Sequence, residues 1–205
     1  MVNEALAIFI SVSDYGGQAA ASAVLSNLFK AQANHEKEAA ALIRLESSLA
    51  QIGRDGLRAS TLDRLGGVYL AQDRHAEAEE SYRLAQAIFS SMSDARGEGM
   101  ELRNLGLLYG RQKQYQESEE HFAQARLVSA SIGDDEGEAE ALDGIIVASV
   151  KQRKFSELRT YCTDACEIYS RTGSPLSEMC VNALELLDLV DSFKASPSAG
   201  VEKVE

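Results

Sequence analysis

The chain has 205 residues, 45% of them hydrophobic and 25% charged, with a formal net charge of −12. A field of that sign repels phosphate backbones and anionic headgroups, which disfavours general binding to nucleic acid or to a membrane surface. No apolar run approaches the roughly 20 residues of a membrane span. Two prolines and no tryptophan leave good helix formers dominant, so the first expectation is all-α.

The N-terminus, MVNEALAIFISVSD, lacks a basic leader region, and its apolar residues fall at helical spacing, so a signal peptide is not expected. Cys162, Cys166 and Cys180 form an odd, clustered set. That set is no disulfide framework and fits a reducing, cytoplasmic setting.

A period of forty residues organises the chain. The strings RLGGVYLAQDRHAEAEESYRLAQAIF and NLGLLYGRQKQYQESEEHFAQARLV place Gly66 and Gly106 in the same slot. The same offset aligns Gln32, Gln72, Gln112 and Gln152, and also Leu25, Leu65, Leu105 and Ile145. It aligns His35, His75, Tyr115 and Phe155 as well.

In chain order, residues 1–12 read as the second helix of a partial unit, since Met1 aligns with Ser81. A fragment or shortened chain is the expectation there. Full units follow at about 14–53, 54–93, 94–133 and 134–173, each a pair of helices. The first helix carries apolar residues at helical spacing, such as Leu62, Leu65, Val68 and Tyr69, and a polar turn follows. The second starts near His75, Tyr115 or Phe155 and buries residues such as Ala78, Tyr82, Ala85 and Phe89. Asp14, Asp94 and Asp134 stand where they can cap the next helix. Ser174-Pro175 opens a terminal helix over 175–193. A disordered tail is expected at 195–205.

Leu65, Gly66, Tyr69, Ala78, Tyr82 and Ala85, repeated as Leu105, Gly106, Tyr109, Ser118, Phe122 and Ala125, resemble the tetratricopeptide repeat pattern. The period is longer than that family's usual ~34 residues. In this it is similar to the long repeats of Pins-type adaptors, kinesin light chains and bacterial regulatory proteins. The resemblance covers about residues 1–193. It implies a right-handed superhelical solenoid of antiparallel helix pairs whose first helices line a concave groove. Leu158 and Cys162 depart from the pattern where an alanine and an aromatic are expected, which predicts looser or differently spaced packing in the last full unit.

Catalytic chemistry finds little support. His35 and His75 share a column with Tyr115 and Phe155, so ring packing explains them, and His121 is expected in solvent. Cys162 and Cys166 share a helix face but lack further metal ligands, which makes them core thiols. No nucleophile triad, Walker loop, GxGxxG or HExxH occurs. Neither an enzyme nor a cofactor is expected.

What remains is a surface. The resemblance places Asn27, Lys30, Ser60, Asp63, Arg64, Gly67, Met100, Arg103, Asn104, Leu107 and Arg111 at groove positions, continued by Glu140, Asp143, Val147 and Lys151. Arg64, Arg103, Asn104 and Arg111 are suited to peptide carboxylates and amides. Met100, Leu107 and Val147 supply an apolar floor. The family's chaperone-binding carboxylate clamp is not matched, because Ala23 and Arg64 replace its lysine and second asparagine. The turns inside units are rich in Lys and Arg and the loops between units in Asp, which gives one basic and one acidic edge. The expected function is protein–protein interaction, with an acidic or amide-rich peptide held in the groove by an adaptor or regulatory scaffold. The alternative is self-assembly into homo-oligomers through the open end helices.

Overall fold

The computed structural model describes residues 2–174 together with 181, 184, 185 and 188. Among these are nine α-helices and no strand: α1 (Val2–Ser11), α2 (Tyr15–Ala31), α3 (His35–Gln51), α4 (Asp55–Ala71), α5 (His75–Ser91), α6 (Ala95–Arg111), α7 (Tyr115–Ser131), α8 (Asp135–Gln152) and α9 (Phe155–Thr172). The expected terminal helix and tail lie outside the described residues, except that 181, 184, 185 and 188 are helical. Among the described residues no helix is long and apolar enough to cross a membrane.

The helices are set by a twenty-residue half-period. Left-handed backbone recurs at Ser13, Ala33, Gly53, Asp73, Ser93, Lys113, Gly133, Arg153 and Gly173. At each of these positions the next residue donates its N–H to the carbonyl five residues back, as Arg74 does to Tyr69 and Gln114 to Tyr109, both at 2.9 Å. This is the six-to-one closure that ends a helix on a left-handed residue. The residue that closes one helix is also the N-cap of the next. Asp14, Asp94 and Asp134 accept from the backbone N–H of Gly17, Gly97 and Gly137. The repeating glutamines mark equivalent corners: Gln32, Gln72 and Gln112 cap α2, α4 and α6, and Gln152 is the last residue of α8.

Each helix packs mainly on its neighbours in sequence, and α6 also meets α8. The chain therefore stacks as a solenoid of antiparallel helix pairs. Ring-on-glycine contacts lock the stack. A β-carbon on Gly66 would sit 2.5 Å from the Tyr82 ring, and one on Gly97 2.4 Å from Phe89. Only a residue without a side chain lets the helices approach that closely. Ala78 and Ala85 are fully buried beneath them. Leu42, Leu105, Leu108 and Leu142 are sealed in the core, each worth about 1.5–3 kcal/mol. Leu158 and Cys162, the two departures in the last full unit, are also buried, as is Cys166.

One expectation needs correction. His121 is not in solvent: it is half-buried and stacks on Tyr109 with centroids 5.1 Å apart. α7 turns it onto α6, and burial pushes its pKa down. Two glutamates, Glu38 and Glu101, are buried.

Candidate functional site

The first helices of the third and fourth units, α6 and α8, flank an open groove of about 730 Å³. Its floor and walls include Met100, Leu107, Val147 and Phe122. Leu107 and Val147 are 54% and 59% exposed.

Gly110 and Gly144 are among the residues that line the groove. One unit earlier their places are taken by Leu70 and Asn104. Leu70 is buried there, and Asn104 Nδ2 donates to Asp63 Oδ1 at 2.8 Å, tying α6 to α4. In the α6–α8 seam Gly144 holds that column, and the Phe122 ring occupies the place of its side chain. A β-carbon on Gly144 would lie 2.4 Å from the Phe122 ring.

Charge is graded along the groove. Arg103 Nε pairs with Glu140 Oε2 at 3.0 Å, and Asp143 accepts from the Tyr169 hydroxyl at 2.5 Å. Arg111 and Lys151 stand in the last turns of α6 and α8, exposed. Among the described residues neither forms an ion pair. Cations at helix C-termini complement the dipole. Yet α2 and α4, with the same dipole, carry Ala31 and Ala71 in this column. The paired cations are confined to the two helices that flank the groove.

The expected site residues divide on this geometry. Met100, Arg103, Asn104, Leu107 and Arg111 come together in the groove, with Glu140, Asp143, Val147 and Lys151 opposite. Asn27 and Lys30 lie exposed on α2, away from its lining. Arg64 is also elsewhere, on α4, 3.6 Å from Glu38 and 3.5 Å from the Ser26 hydroxyl. Tyr115, Ser118 and Phe122 of α7 line the groove without having been expected there. The aligned columns held a difference between the two seams, in Gly110 against Leu70 and Gly144 against Asn104.

The tetratricopeptide repeat family model matches residues 58–88 and 102–130. Those two stretches are tetratricopeptide repeats. No curated protein matches it in sequence. Among solved structures it is similar to a signal-transduction ATPase with a tetratricopeptide repeat sensor from Pyrococcus horikoshii. The TM-score is 0.79 at 15% identity, over 93% of this chain and 30% of that one. It is also similar to a putative kinesin light chain from Podosopora anserina, with TM-score 0.67 and 18% identity, over 84% of this chain and 85% of that one. A third is aspartyl phosphate phosphatase F from Bacillus subtilis, with TM-score 0.72 and 13% identity, over 92% of this chain and 51% of that one. The chain thus spans less than a third of the first of these proteins. At such identities the likeness is one of fold. Tetratricopeptide arrays commonly mediate protein–protein interaction and typically serve as scaffolds, presenting extended surfaces built by repetition.

Proposed function

We propose that this tetratricopeptide-repeat chain is a protein-interaction module that captures a peptide or partner segment in the groove between α6 and α8. The observation that carries this reading is an open groove with an apolar middle, Leu107 and Val147, and an unpaired cation pair, Arg111 and Lys151, at one end. A segment with an apolar side chain over the middle and an acidic residue about one helical turn away suits that arrangement. Arg64 and Arg103 already have carboxylate partners, so the cations available to a ligand are Arg111 and Lys151. An adaptor or regulatory scaffold in the cytoplasm is the role this reading assigns.

The test is a series of short synthetic amphipathic peptides in acidic, neutral and basic versions, titrated by fluorescence anisotropy. Acidic peptides should bind best, and Arg111→Glu with Lys151→Glu should weaken them by about tenfold or more, equivalent to ~1.4 kcal/mol. Equal binding of all three versions, or an unchanged double variant, contradicts the reading.

A second reading, self-assembly through the end of the stack, is favoured by one observation. Leu28 is 47% exposed, whereas Val68 and Leu108 in the same column are 8% and 0% exposed. Val24, Ile8 and Val12 widen the apolar surface there. Light scattering across concentration separates the two readings, because assembly requires a mass that grows with concentration.

A further inference from the structure

Beneath the α6 wall of the groove lies a group the capture reading does not use. Glu101 of α6 is 0% exposed. Its Oε1 has no hydrogen-bond partner among the described residues. Its Oε2 lies 3.5 Å from Asn104 Nδ2, the same amide nitrogen that donates to Asp63 Oδ1 at 2.8 Å. Two carboxyl groups, one from α4 and one from α6, thus meet at one side-chain amide, which belongs to a residue lining the groove.

The charged and titratable surroundings are few. From α4 come Asp63 and Arg64, and Arg64 is engaged by Glu38. From α5 comes Tyr82, whose buried phenol is pushed well above its ordinary value. From α6 comes Arg103, engaged by Glu140. No cation forms an ion pair with Glu101 among the described residues. Burial first, and the Asp63 charge second, push the Glu101 carboxyl up to about 8. It is therefore neutral at neutral pH, and its ionisation falls just above.

We propose that Asp63, Asn104 and Glu101 form a protonation-controlled latch that closes α6 against α4 and thereby sets the shape of the capture groove. With Glu101 neutral, the Asn104 amide is committed to Asp63 and the seam is shut. Ionised Glu101 places a second negative charge beside Asp63 in a buried seam, where their repulsion is little screened. The seam loosens, the α6 wall shifts, and capture weakens as the medium turns alkaline. This regulation rests on the reading of the groove as a capture site, but the latch has a readout of its own.

That readout is the side-chain NH₂ resonance of Asn104 in the wild-type protein and in Glu101→Gln, which is isosteric with the neutral acid. In the wild type it should titrate with a midpoint near 8, and in Glu101→Gln the titration should be gone. In parallel, the acidic peptide is titrated at about pH 7 and about pH 9, where its own carboxylates stay ionised. Wild-type affinity should fall several-fold between the two, while Glu101→Gln stays level. An Asn104 amide that holds its shift, a titration that survives in Glu101→Gln, or wild-type affinity equal at both values overturns the latch. Absence of peptide binding at either value instead overturns the groove reading, and the coupling with it.

Discussion

The α4–α6 seam and the α6–α8 seam are built from the same columns of the same repeat, yet an amide–carboxylate hydrogen bond closes one and an open groove lies along the other. In the closed seam Leu70 is buried, and Asn104 bonds across to Asp63. In the open seam the equivalent residues are Gly110 and Gly144. No side chain crosses from the glycine position, and Arg103, the counterpart of Asp63, turns to Glu140 instead. The backbone repeat is the same in both seams, and the side chains that meet across it differ: an amide on a carboxylate in one, glycine against a phenylalanine ring in the other.

The largest effect should come from the ring that partly fills the open seam. Phe122 is buried against both Gly106 and Gly144. Phe122→Ala should cost roughly 3–5 kcal/mol in urea denaturation. A cost near zero would mean that the seam collapses freely and that its openness is incidental.

Next comes the acid buried in the closed seam. Glu101 has a folded pKa of about 8 against 4.5 for the ordinary side chain. Below the lower value both folded and unfolded states hold the proton, and the group contributes nothing to the pH dependence. Between the two values the unfolded chain releases the proton and the folded chain keeps it, so stability falls as pH rises, then levels off. The fall should amount to a few kcal/mol. Glu101→Gln, melted beside the wild type at pH values across that window, should lack this slope.

Smaller is the effect of adding a single methyl group to the open seam. Gly144→Ala drives a carbon into the Phe122 ring and should cost about 1–3 kcal/mol. The smallest change in stability, with a large change in capture, belongs to Gly110→Leu. A β-carbon there meets only the Ser118 hydroxyl at 3.3 Å. Replacing a helical glycine should offset that contact to within ~1 kcal/mol. The leucine restores the residue of the closed seam, so acidic-peptide affinity should drop about tenfold while the melting temperature barely moves.

Much of this architecture was legible in the residues. The forty-residue period, the helix starts at His75, Tyr115 and Phe155, and the aspartate caps follow from local chemistry that repeats. What was not legible depends on partners far apart in sequence. Arg64 and Arg103 stand at groove positions, but Glu38 and Glu140, 26 and 37 residues away, engage them. Glu101 reads as one more polar helical residue, because nothing local reveals that Asp63 and Tyr82 close over it. His121 adjoins glutamates in the chain but meets Tyr109 in space. Burial and pairing across the stack are properties of the assembled units, which single helices do not carry.

The most direct test of the central claim is a chemical-shift map of the wild-type protein titrated with the acidic amphipathic peptide. The account predicts the largest backbone changes at Leu107, Arg111, Val147 and Lys151, on the two helices that flank the groove. Changes confined to α1 and α2, or to the second helices α5, α7 and α9, would contradict it.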